Sequence, residues 1–184
     1  CGAPRAACPT GSLLLRCAGR SLGTPGEVLY RSPQLCQGYW DNPAATEEAF
    51  RGGWFHMGDM FKRRPDGKLS FVDRVKYLIK SGGEWISSID MENHLMSHPR
   101  IREAAVVGIA HPKWQERPVA LVVSDDGGEV PIEDLHRHLA PHFASWQMPE
   151  QVLFVEELPR TSVGELDKKV IRAQHADLYT GEQP

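Results

Sequence analysis

The sequence predicts an α+β protein in two parts, a β-rich stretch over residues 1–75 and a compact α+β module over 76–184. Three observations predict it. Short apolar runs separated by glycine- and proline-rich turns fill the first part. After Gly83 the texture changes to amphipathic segments alternating with β-branched runs. The chain is 184 residues long, 41% hydrophobic and 24% charged, an ordinary balance for a folded protein with enough length to bury a core.

Residues 1–36 are rich in Gly, Pro, Cys and Ser, and the runs at 13–15 and 28–30 read as short strands. Residues 46–50 read as a short helix, and 61–72 as a hairpin turned by Pro65-Asp66-Gly67. A third strand is expected over 75–80. Ser87 and Ser88 can cap a helix, and Ser87-x-x-Asp90 is a capping-box variant ahead of Ile89, Glu92, Leu95 and Met96. The runs 104–109 and 118–123 read as central strands, 132–139 as a second amphipathic helix, 152–155 as a strand and 170–178 as a closing helix. That order describes one α+β module of about a hundred residues, with the boundary near Arg74–Lys76.

A net charge of −3 gives no footprint for nucleic acid. No apolar run approaches the roughly 18–20 residues that span a bilayer. Cys1, Cys8, Cys17 and Cys36 form no CxxC pair and have no histidine at finger spacing, so reduced thiols in a cytoplasmic protein are expected rather than a zinc site. His136, His138 and His142 include an i, i+4 pair, but no acidic or cysteine ligand stands beside them, and a solvated helix face is the expectation. The chain opens on Cys-Gly-Ala-Pro without a methionine or targeting pattern, as a piece of a larger polypeptide would.

Chemistry concentrates between Gly53 and Trp85. Asp73, Arg74 and Lys76 interrupt an apolar run, Lys80 follows, and Gly82-Gly83 lets backbone approach a ligand closely. Such a set suits a polyanionic nucleotide. Asp59, in a glycine-flanked turn, can accept hydrogen bonds from vicinal hydroxyls or simply stabilise the turn. Arg74 can contact a ligand or pair with Asp73. Lys76 by itself is a solvated strand residue. The ammonium of Lys80 can reach phosphate or carbonyl oxygens. Trp85 by itself reads as a core anchor, and Trp114 and Trp146 read as packing or surface aromatics.

Gly26-Glu27-Val28 through Gly38-Tyr39-Trp40, Gly53-Trp-Phe-His-Met-Gly-Asp59, Asp73-Arg74, Lys80-Ser-Gly-Gly83 and Leu158-Pro-Arg-Thr-Ser-Val-Gly164 occur here in order. Together they resemble the adenylate-forming superfamily of acyl-CoA synthetases, luciferases and peptide-synthetase adenylation domains. Lys80 to Ser88 and His111-Pro-Lys-Trp-Gln-Glu-Arg-Pro118 are most similar to fatty acyl-CoA synthetases. The resemblance implies that 1–75 ends a large N-terminal AMP-binding domain, in a barrel-like β-rich subdomain, and that 76–184 is the C-terminal lid. It implies ribose contacts for Asp59 and Arg74, a hinge at Lys76, thioester-step catalysis by Lys80, passage of the CoA arm along Gly82 and Gly83, and an acyl-tunnel gate at Trp85.

The implied reaction joins ATP and a fatty acid to acyl-AMP, then transfers the acyl group to CoA. ATP and Mg²⁺ would be held mainly by an N-terminal portion that precedes this chain, leaving the chain alone inactive and without a metal of its own. The departure is Glu165, where the family carries the lysine that supports adenylation; Lys168 and Lys169 follow three and four residues later. Two alternatives stay open. One is a ligase for aryl or other acids, or one that loads a carrier protein. The other, favoured by Glu165, is a catalytically impaired module that binds nucleotide or a protein partner.

Overall fold

Glycine turns and short apolar runs set the pattern of the first of two units into which the chain divides, between Lys76 and Tyr77. The computed structural model describes residues 16–17 and 22–179. In the first unit β1 (Arg16–Cys17), β2 (Gly26–Tyr30), β3 (Phe55–Arg63) and β4 (Leu69–Arg74) form one antiparallel sheet in that order. Among the described residues this sheet is open and does not close into a barrel. Helix α1 (Pro43–Ala49) starts three residues before the predicted position because Asn42 caps it, its side chain accepting from the Ala45 N–H, with Pro43 at the first turn. The strand expected at 13–15 lies outside the described residues.

The predicted 61–72 hairpin is longer. Strand β3 begins at Phe55, so Asp59 lies within a strand and not in a turn, opposite Arg74 in the β3–β4 register. Gly58 at φ +73° and a register shift after Met60 kink the strand there. The strand expected over 75–80 is also corrected. Residues 75–77 form a turn, with the Val75 N–H donating to the Gly58 carbonyl at 2.8 Å, and strand β5 starts only at Ile79.

In the second unit β5 (Ile79–Ser81) and β6 (Glu84–Ile86) make a tight hairpin, and β7 (Ile101–His111) and β8 (Gln115–Ser124) a long one. Strand β9 (Gln151–Phe154) lies parallel to β8, so the strand order is β6-β5-β8-β7 with β9 beside β8. Helices α2 (Ser88–Met96) and α3 (Ile132–Leu139) accompany one core, where Met91, Leu95, Leu135 and Leu139 pack with Val106 and Val122. Helix α4 (Lys168–Gln174) contributes Ile171 to a second core with Val107, Ile109 and Leu121. Successive residues of β7 and β8 thus face two different cores, which explains their nearly continuous apolar runs. Helix α4 starts earlier than predicted because Asp167 caps it, accepting from the N–H groups of Lys169 and Val170. Among the described residues no helix is long and apolar enough to cross a membrane.

Candidate functional site

In the first unit the β3–β4 register sets the Arg74 guanidinium 3.2 Å from the Asp59 carboxylate. Arg74 thus pairs across the strands with the Asp59 carboxylate. Asp73 is fully buried and accepts the backbone N–H of Arg74 at 2.7 Å. A cavity of about 480 Å³ opens beside this pair, lined among others by Glu27, His56, Gly58, Arg74 and Lys76. His56 Nδ1 lies 2.9 Å from Glu27 Oε2, which also faces Arg51 at 3.4 Å. Two carboxylates, an imidazole and three cations line this cavity, a set able to hold hydroxyl and anionic groups together. Glu27 and His56 were not singled out from the sequence; they stand inside quoted motifs, but only strand pairing joins them.

The second unit carries two separate features. The first is the β5–β6 hairpin. Gly82 at φ +59° and Gly83 at φ +86° form its two-residue turn, the conformation that favours glycine at both positions. Lys80 and Trp85 are cross-strand partners, and the ammonium lies 5.1 Å from the indole centroid. Trp85 is 37% exposed and is not a core anchor. Trp114 packs against Gly82, its carbonyl accepts the Gly82 N–H at 3.1 Å, and Lys113 covers its ring at 4.8 Å. Two β8 residues of the quoted 111–118 motif, to which the sequence assigns no role, hold this hairpin. Glu116 accepts the Lys80 N–H at 2.8 Å. Buried Arg117 donates to Ser81 Oγ at 3.3 Å and to the carbonyls of Trp146 and Met148, and pairs with Glu150 at 2.8 Å.

The second feature is the loop 159–167. The Thr161 N–H donates to the Glu165 carbonyl at 2.7 Å, the Gly164 N–H to the Thr161 carbonyl at 2.9 Å, and the Asp167 N–H closes the base on the Pro159 carbonyl at 2.8 Å. Arg160 braces it, donating to the Gly164 carbonyl and pairing with Glu103 at 2.6 Å. The Glu165 side chain is exposed at the end of this braced turn. Lys168 is buried, its ammonium 2.6 Å from Glu92 and 2.7 Å from Ser88 Oγ, so it cannot substitute for a cation at position 165. Lys169 is exposed.

The histidines of α3 bond to protein groups. His136 meets the Pro149 carbonyl at 2.8 Å, and His138 meets Ser97 Oγ and the His94 carbonyl. Burial, reinforced by His138 and Arg100, holds the His98 imidazole below its ordinary value. Among the described residues no group of three or more His, Cys, Asp or Glu is arranged to hold a metal.

Residues 90–165 match the family model described as AMP-binding enzyme C-terminal domain. The chain carries this domain and is a relative of the adenylate-forming enzymes. The curated proteins it is similar to include several acid–CoA ligases. It is 49% identical over 159 residues to a long-chain-fatty-acid–CoA ligase of Thermus thermophilus, covering 85% of this chain and 29% of that protein. A 3-methylmercaptopropionyl-CoA ligase of Ruegeria lacuscaerulensis is 37% identical, covering 86% of this chain and 29% of that protein. Among solved structures, ATP-bound MatB from Rhodopseudomonas palustris superposes with a TM-score of 0.76 at 31% identity, over 87% of this chain and 32% of that one. The chain thus spans under a third of the length of these relatives.

Proposed function

We propose that the chain is the C-terminal part of a fatty acyl-CoA synthetase. The observation that carries this reading is the hairpin that presents Lys80 beside Trp85 and two turn glycines, held from behind by Glu116 and Arg117. The higher identity to a long-chain ligase than to the 3-methylmercaptopropionyl ligase supports a fatty acid as substrate. The enzyme would first join the carboxylate to the α-phosphate of ATP, releasing pyrophosphate. This turns a poor electrophile into a mixed anhydride. The CoA thiolate then attacks the acyl carbon, and AMP leaves with the bonding electrons.

Asp59 would accept from the ribose hydroxyls, with Arg74 fixing its carboxylate. Lys76, the last residue of the first unit, would serve as the hinge between half-reactions. Lys80 would stabilise negative charge growing on the carbonyl and phosphate oxygens in the thioester step. Gly82 and Gly83 would leave room for the CoA arm, and Trp85 would gate the acyl chain. Mg²⁺ and the triphosphate would be held mainly by the portion of the enzyme outside this chain. On this reading the 184-residue chain by itself shows no ATP–pyrophosphate exchange above a no-protein control, and measurable exchange would overturn it.

A second reading has its own observation. Glu165 is exposed in the loop where the family's lysine is expected, and Lys168 is buried away from it. An enzyme so built would be poor at adenylation while able to form thioester from acyl-AMP. The test is thioester formation by the complete enzyme from free acids and from synthetic acyl-AMPs, with long-chain and cinnamic acids compared. A preference for the long-chain acyl-AMP by about tenfold or more in kcat/KM is expected. Preference for the aromatic one would replace the fatty-acid assignment.

A further inference from the structure

Lys168 makes an arrangement that neither half-reaction explains. Its side chain is 7% exposed and that of Glu92 10%. The ammonium lies 2.6 Å from Glu92 Oε1 and 2.7 Å from Ser88 Oγ, and 5.0 Å from the centre of the Tyr77 ring. The same Glu92 oxygen accepts the Val106 N–H at 2.6 Å. One cation therefore ties together the N-terminal end of α2, the middle of β7, the start of α4 and Tyr77, which directly follows Lys76. Asp167, its immediate neighbour, closes the base of the loop that carries Glu165.

Burying this pair is costly, since both charges leave water, and apolar residues could fill the space as well or better. What an apolar filling cannot do is fix direction. An ammonium held by two oxygens and facing an aromatic ring has one position, and residue 168 is then fixed with it. We propose that Lys168 is a positioning residue. It sets the base of the 159–167 loop, and so the aim of position 165, relative to α2 and Tyr77. The functional side of this inference rests on the acyl-CoA synthetase reading above; the structural side does not.

The test uses hydrogen exchange on the full 184-residue chain, following amides of 161–167 against those of β7 and β8. Lys168→Met leaves the Glu92 carboxylate buried without its cation and is expected to lower the thermal midpoint. The double variant Glu92→Gln, Lys168→Met removes both charges and keeps an acceptor for the Val106 N–H. Positioning predicts that the double variant regains most of the midpoint and keeps its strand amides protected, while its loop amides exchange about three- to tenfold faster than the parent's. Parent-like loop exchange in the double variant would overturn the inference, as would parallel acceleration of loop and strands. Should the double variant fail to fold, Ser88→Ala keeps the ion pair and removes one hydrogen bond. Faster loop exchange in it supports positioning, and unchanged exchange overturns it.

A functional arm uses the complete enzyme carrying Glu165→Lys. Adding the paired substitutions there should slow ATP–pyrophosphate exchange and leave thioester formation from acyl-AMP unchanged. Equal slowing of both steps would reduce Lys168 to a stability role. If the Glu165→Lys enzyme itself shows no exchange, the synthetase reading fails and the loop measurement still decides the role of Lys168.

Discussion

The β5–β6 hairpin and the 159–167 loop belong to the same unit and are braced in the same manner, yet they present opposite charges. Each is a tight turn with positive-φ glycine, and each is held by buried or braced ionic groups: Glu116 and Arg117 behind the hairpin, Arg160, Glu103 and Lys168 around the loop. The hairpin offers the ammonium of Lys80; the loop offers the carboxylate of Glu165. Scaffolding is thus intact on both sides, and the difference lies in one side chain. In the proposed function that difference separates a competent thioester step from a weakened adenylation step, because a carboxylate repels the negative charge that adenylation must stabilise.

The largest expected effect tests whether the loop really has a built foundation. Lys168→Met should lower unfolding stability by about 3–5 kcal/mol in a urea titration, the usual result of leaving a buried charge without its partner. A loss below about 1 kcal/mol would mean that the pair behaves like an exposed one. Next comes the loop's charge itself. Glu165→Lys in the complete enzyme should raise ATP–pyrophosphate exchange by about 10²–10³, the usual value of one preorganised stabiliser. On the hairpin side, Lys80→Ala should slow single-turnover thioester formation from acyl-AMP by about 10² while adenylation changes little. Equal losses in both steps would erase the distinction between the two regions.

The smallest effect concerns Tyr179, which packs against the second core. Burial, then the charge of Glu150, pushes the Tyr179 phenol up to about 12 from 10.0, against an opposing contribution from Arg117. The folded state therefore holds this proton more tightly than the unfolded chain does. Its contribution to stability is complete below pH 10 and is lost as pH rises through about 12. The hydroxyl is buried without a hydrogen-bond partner. Tyr179→Phe should leave stability at neutral pH nearly unchanged and flatten the alkaline loss between those values. A steep loss that persists in the variant would assign it to another group.

Local signals were legible and nonlocal ones were not. Helix α3 falls on the residues its periodicity predicts, and β7 and β8 surround the predicted apolar runs, because those patterns are written within a few residues. The start of α4 was missed by two residues since Asp167 was not weighed as a cap. Asp59 was expected in a turn, but the pairing that makes it a strand residue opposite Arg74 comes from a segment beyond the Pro65-Asp66-Gly67 turn. Glu116 and Arg117 stand inside the quoted 111–118 motif, but their bonds to Lys80 and Ser81 cross 36 residues of chain. Lys168 stands three residues beyond position 165 in the sequence. Its burial depends on Ser88, 80 residues earlier, and no periodicity announces that.

On the proposed function, one unit carries a thioester-forming hairpin and an adenylation loop weakened at one position. The most direct measurement runs both half-reactions side by side in the complete enzyme, with parent, Glu165→Lys and Lys80→Ala compared. ATP–pyrophosphate exchange should rise sharply only with Glu165→Lys, and thioester formation from synthetic acyl-AMP should fall sharply only with Lys80→Ala. If exchange is as fast with glutamate as with lysine at position 165, or if each substitution moves both reactions together, the claim is contradicted.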